Sequence, residues 1–134
     1  MAGEERLESL LKNISPILNR DEYVFLTLDG RYGDYIELDP ICSFMEEEGL
    51  TLIVSKKNAL LNNLKIDDVF RAITLTVHSS LDAVGLTAAV SSKLSSAGIS
   101  ANVVAAYHHD HIFVQSKYAA KAMDSLKELI RSQP

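Results

Sequence analysis

The chain carries a single cysteine, Cys42, so no internal disulfide can form and a reducing compartment is the expected home. Prolines number three and glycines six, too few for a disordered or low-complexity tail. No apolar run approaches the roughly 18 residues that span a bilayer. The opening residues "MAGEERLESLLKN" carry acids where a secretion signal carries bases. A cytoplasmic protein with no membrane partner is therefore expected. Lys and Arg are scattered and the formal net charge is −5. That leaves no basic stripe to neutralise a phosphate backbone, and nucleic acid is not an expected partner. Neither a phosphate-binding glycine loop nor a serine nucleophile elbow is visible. What is present is a chain of 134 residues, 47% hydrophobic and 23% charged, enough for one ordered domain or two small lobes sharing a core.

The apolar spacing sets the elements. Leu7, Leu10, Leu11 and Ile14 recur at helical intervals over residues 5–14, and Ser15 and Pro16 follow as a stop. Residues 22–29, "EYVFLTLD", read as a strand closed at Asp29 and Gly30. Residues 40–55 read as a hairpin turning at Glu48 and Gly49, with Ser55 placed to cap a short helix after it. From residue 70 the pattern alternates Ile73, Leu75 and Val77 against Thr74, Thr76 and His78, a half-buried strand. Helical spacing then brings Leu86, Val90, Leu94 and Ala97 onto one stripe that Gly98 ends, with Ser79 and Asp82 at capping-box distance. Strands over 100–108 and 111–116 follow. A last helix, 118–131, is expected to bury Ala119, Ala122, Met123, Leu126, Leu129 and Ile130.

An internal repeat organises these elements. A shift of 61 residues lays "EEGLTLIVSK" (47–56) over "HHDHIFVQSK" (108–117), a turn, a strand and a Ser-Lys helix start in both copies. The expected division is an N-terminal lobe, 1–66, and a C-terminal lobe, 67–134. The second copy ends after residue 131 without a fourth strand. The lobes are expected to complete each other, with strand 22–29 filling the gap.

The second half resembles the ACT domain family. That family's first strand enters a helix through a turn like D-x-P-G-L, matched here by Asp82, Ala83, Val84, Gly85 and Leu86, with Val84 in place of proline. Its second strand opens with G-I-x, matched by Gly98, Ile99 and Ser100. Its hairpin reads like Y-x-T-D-Y-I-L-V, matched by Tyr107 to Val114. The likeness is good over residues 70–131, and the first half looks like a degenerate lobe. The resemblance implies an α+β, ferredoxin-like βαββαβ fold in two tandem lobes. It also implies a small bacterial regulatory protein, not an enzyme, that needs no cofactor, binds an amino acid or similar metabolite and works as a homo-oligomer.

The turn "HSSLDAVGL" is the candidate ligand site. A helix start offers free N–H groups and partial positive charge to a carboxylate, and Gly85 would let a ligand approach the backbone. Asp82 could meet an ammonium group while Ser79 or Ser80 adds a hydroxyl. The site proposed from the turn comprises Ser79, Ser80, Leu81, Asp82, Val84, Gly85 and Leu86. In the family a neighbouring second strand completes it, which implies Ser100, Asn102 and Val103 here. The bland alternative is that the serines and Asp82 cap the helix, Gly85 relieves packing, and Asn102 faces solvent from an edge.

The tract His108, His109, Asp110 and His111 is the other concentration of polar chemistry. His109 and His111 in one extended strand would point the same way about 7 Å apart, but they are expected to lie across a turn. A zinc site also needs three or four ligands, and only His78 and the acids remain, so no metal is expected. Cys42, beside Ile41, reads as a core thiol. Glu46 to Glu48 read as a solvated tip, and Arg71 and Lys56 as candidate partners for acids. Two further classes stay open: an interaction and oligomerisation module with a vestigial site, and a small metal-dependent enzyme using His108 to His111.

Overall fold

A computed structural model describes residues 2–76 and 85–134. Helix α1 is Ala2–Asn13, and strand β1, Ser15–Leu28, follows almost at once. The strand thus begins seven residues before the expected stretch and takes in Pro16. Proline lacks an N–H but is tolerated near the start of a strand, where the ladder has barely begun. A 3-10 segment, Tyr32–Leu38, leads to β2 (Cys42–Glu46), β3 (Gly49–Ser55) and α2 (Lys56–Leu61). Next come β4 (Phe70–Thr76), α3 (Leu86–Ser96), β5 (Asn102–Ala105), β6 (Asp110–Gln115), a single 3-10 turn, and α4 (Ala119–Arg131).

The elements group into two compact units that the chain visits alternately. The first comprises Met1–Asn19 and Arg71–Pro134, and the second Arg20–Phe70. β1 therefore gives its opening residues to one unit and the remainder to the other. In the first unit the strands lie in the order β1, β4, β6, β5. Thr76 Oγ1 donates to the Ser15 carbonyl and Arg71 reaches the carbonyl of Asn19, so β1 and β4 run in opposite directions. The missing fourth strand of the C-terminal copy is thus supplied by residues 15–19, upstream of the expected 22–29.

Alternation decides which residues reach the first unit's core. Ile73 and Leu75 on β4 and Ile112 and Val114 on β6 turn inward, to meet Leu86, Val90 and Leu94 from α3 and Ala122 and Leu126 from α4. Leu11 of α1 and Ile14, just past the end of that helix, join them. On α4, Met123, Leu129 and Ile130 are only partly buried, and Ser125 joins the buried set. α3 ends as its sequence predicts, since Gly98 has φ +77 and passes its N–H to the Ser95 carbonyl at 2.9 Å.

In the second unit the order is β2, β3, β1, with both pairings antiparallel. Leu38, Leu50, Leu52 and Val54 form its core, and Leu26, Leu28, Tyr35 and Leu64 pack against them. Ser55 Oγ accepts the N–H of Asn58 at 3.1 Å and so starts α2. Lys56 pairs with Glu22 at 3.7 Å, and Phe25 meets Phe70 edge to face, ring centres 5.0 Å apart.

The two hairpins carry the same register sixty residues apart, one less than the identities suggest. Cys42 stands opposite Ile53 as Asn102 stands opposite Phe113, and Met45 opposite Leu50 as Ala105 opposite Asp110. One residue of slip would turn every side chain to the other face. At sixty, Leu52 and Val54 overlie Ile112 and Val114, all fully buried, and Ala59 overlies Ala119 at the helix starts.

Candidate functional site

Of the predicted turn, Ser79, Ser80, Leu81, Asp82 and Val84 lie outside the described residues, as do Val77 and His78. Gly85 and Leu86 are described. Gly85 has φ +94 and ψ −14, and its carbonyl accepts the N–H of Ala89 at 2.9 Å to open α3. A side chain there would be strained in the left-handed region. Its Cβ would also come within 3.0 Å of Leu7 Cδ2 on α1. Leu86 faces the core and is 2% exposed.

Asn102 and Val103 open β5, the last strand in the first unit's order, and Ser100 lies two residues before it. All three are exposed, Val103 barely so at 37%. Asn102 Nδ2 donates to the Phe113 carbonyl at 3.1 Å, reinforcing the pair it forms with that residue. The bland alternative for Asn102, a solvent-facing edge position, describes this geometry.

The sixty-residue relation carries residues 100–103 onto 40–43, and there the second unit has a cavity. A shallow hollow largely open to solvent, about 340 Å³ in volume, it is lined by Tyr32, Pro40, Ile41, Cys42 and Ser43. That volume is at the lower end of small-molecule sites. A phenol, a thiol and a hydroxyl stand beside two apolar side chains, a mixture suited to a small molecule with one polar end. The turn that presents Tyr32 is pinned from within. Asp34 accepts the Arg31 N–H at 3.0 Å through Oδ2 and returns its own N–H to the Arg31 carbonyl at 2.9 Å, while the Tyr35 hydroxyl donates to the carbonyl of Asp29. Asp39 takes φ +50 to turn the chain into Pro40 and β2.

Sequence reasoning missed this cavity. Tyr32 and Tyr35 in "RYGDY" admit two sequence readings, cover for a pocket and, the one preferred, cover for the core; Tyr35 packs on the core whereas Tyr32 lines the cavity. Cys42 is half-buried on the cavity wall. A repeat counted at sixty would have pointed to it.

The histidine tract also differs from expectation. The hairpin turns at Tyr107 and His108, closed by the Ala106 N–H on the His109 carbonyl at 3.1 Å, and Asp110 already belongs to β6 opposite Ala105. His109 and His111 consequently lie on the same arm, not across the turn. His108 sits edge-on to Tyr107, centres 5.0 Å apart. Burial pushes the His111 pKa down, the neighbouring His109 adds to this, and Asp110 opposes it. Among the described residues no group of three or more His, Cys, Asp or Glu side chains is placed to hold a metal ion, and no helix is long and apolar enough to cross a membrane.

Comparison with known proteins follows the same lines. A family model described as ACT domain matches residues 2–71, and a second of the same description matches residues 66–128. A Vibrio cholerae protein of unknown function, described as a possible transport protein, is 49% identical with a TM-score of 0.87, covering 96% of this chain and 98% of its own. A protein from Agrobacterium tumefaciens is 19% identical with a TM-score of 0.74, covering 87% and 89%. The regulatory subunit of aspartate kinase from Thermus thermophilus, in a ligand-free form, shares the fold at 9% identity and a TM-score of 0.59, covering 87% and 97%. A comparison with curated proteins returns no match. With two family models spanning most of its length and the hairpin-and-helix unit present twice, the chain belongs to the ACT domain family.

Proposed function

We propose that this chain is a non-catalytic, small-molecule-binding regulatory protein of the cytoplasm, with an amino acid as its ligand and homo-oligomer contacts as its output. Membership of the ACT domain family supports the regulatory role, and a solved structure of like fold is itself a regulatory subunit. The observation that carries the reading is the cavity beside Pro40 to Ser43, sixty residues from the strand that the family resemblance assigns to ligand binding. In the C-terminal lobe, proposed as 67–134, the corresponding site uses Ser79, Ser80, Leu81, Asp82, Val84, Gly85 and Leu86 with Ser100, Asn102 and Val103. In the N-terminal lobe, 1–66, it is the cavity under Tyr32. A ligand with differential affinity for two subunit arrangements would shift their balance.

A thermal-shift series against the common amino acids tests this. A ligand at about 100 times its dissociation constant stabilises by roughly 2.7 kcal/mol. One amino acid should raise the melting temperature saturably. A flat response to all of them, together with a response to zinc, would replace this reading with the metal-dependent one.

One observation favours a second reading. Leu7 lies over Gly85, on the backbone that a ligand of the C-terminal lobe would approach. An interaction module whose C-terminal site is vestigial would keep that contact permanently and show no amino-acid response there.

A further inference from the structure

A line of side chains crosses the first unit's sheet and plays no part in the metabolite reading. Asn19 on β1 donates from Nδ2 to Thr74 Oγ1 on β4 at 3.1 Å. Thr74 Oγ1 in turn lies 2.9 Å from Nδ1 of His111 on β6. Three neighbouring strands are thereby joined side chain to side chain. Arg71 holds the same asparagine by its backbone, with Nε and Nη2 donating to the Asn19 carbonyl at 3.0 and 2.8 Å.

The hydrogen bonds have a direction. A hydroxyl owns one hydrogen and two lone pairs. Thr74 accepts from the Asn19 amide on one lone pair, and its own hydrogen can be donated to Nδ1 of His111 when that nitrogen carries no proton. The neutral imidazole with its proton on Nε2 presents the lone pair that this hydrogen bond needs. Protonation of His111 places a hydrogen on Nδ1. Two donors then face one hydroxyl oxygen, and the Thr74 hydrogen loses its acceptor in a half-buried setting, a loss that proteins pay in stability.

We propose that Asn19, Thr74 and His111 form a proton-operated latch that fastens residues 15–19 of β1 to β4, closed while His111 is neutral and released when it is charged. Among the described residues, His109 and Asp110 from its own strand and turn act on the His111 charge and Thr74 faces the ring from β4, while Val104, opposite on β5, bears no charge. Burial and His109 both disfavour the charged imidazole and outweigh Asp110, so the latch stays closed at neutral pH and opens in mild acid. Residues 15–19 supply the fourth strand of this unit, so the latch acts on the strand the C-terminal copy lacks. It requires no ligand, and protons become an input independent of any metabolite.

The test is a pH titration of the full chain by NMR, following the His111 ring and the backbone amides together. In the wild type the amides of Ser15, Ile17, Leu18 and Asn19 and of residues 71–76 should shift with the midpoint of His111. Thr74→Ser, which keeps the hydroxyl, should preserve that coupling. In Thr74→Val the ring should still titrate while those β1 amides no longer follow it. Amides that ignore the His111 titration in the wild type, or follow it equally in Thr74→Val, overturn the latch. The wild-type titration decides even if Thr74→Val fails to fold.

Discussion

The side chain of Leu7 on α1 lies against the backbone of Gly85 at the start of α3, so close that a Cβ on Gly85 would approach Leu7 Cδ2 to 3.0 Å. Gly85 also sits at φ +94. Two costs therefore combine in Gly85→Ala: left-handed backbone, about 1–2 kcal/mol for a residue with a side chain, and overlap with Leu7. Chemical denaturation should show a loss of at least that size. Adding Leu7→Ala relieves the overlap, so the double variant should lose less than the two singles combined. Strict additivity would mean that the two residues do not touch.

The hairpin cores make a paired prediction. Leu52 and Ile112 are both fully buried and occupy the same place in the two copies. Leu52→Ala and Ile112→Ala should each cost about 2–5 kcal/mol. Leu61→Ala, at a residue 69% exposed, should stay within about 0.5 kcal/mol. Urea midpoints at constant slope would show the difference.

Two serines that look equivalent in the sequence should behave differently. Ser55 Oγ caps α2 through the Asn58 N–H, and Ser55→Ala should cost about 1 kcal/mol. Ser116, also followed by lysine, has a buried hydroxyl with no partner among the described residues. Ser116→Ala should be neutral or mildly stabilising, because it removes a desolvated polar group. Thermal melting of the two variants, side by side, would expose the contrast.

The Ser-Lys coincidence also explains where sequence reading slipped. Ser55-Lys56 and Ser116-Lys117 are 61 residues apart and anchored the repeat one residue off, whereas the ladder pairs Cys42 with Ile53 and Asn102 with Phe113 at sixty. Side-chain identity at a helix start can drift by one position, but strand register cannot without exchanging faces. Leu11, Ile73, Val90 and Leu126 were legible because period alone places them in a core. The start of β1 was hidden because Pro16 reads as a stop. The cavity under Tyr32 was hidden because a 3-10 segment, not a long helix, follows β1 in that copy, and no periodic pattern marks its walls.

His111 gives stability a predictable dependence on pH. Its folded-state pKa lies below the ordinary histidine value because burial and His109 disfavour the charge. The unfolded chain, with an ordinary pKa of about 6.5, therefore binds the proton more readily. Stability is fully present above that value and falls as pH drops through it toward the folded pKa. Urea midpoints should decline as the pH falls below about 7. In His111→Gln that part of the decline should disappear. An identical decline in this variant would assign it to other groups.

The central claim, an amino-acid-binding regulatory protein, is tested most directly by NMR titration of the full chain with whichever amino acid most raises its melting temperature. Saturable shifts in the amides of Ile41, Cys42 and Ser43, or of Ser100, Asn102 and Val103, are the predicted result. No saturable shift at either place with any amino acid would contradict the account.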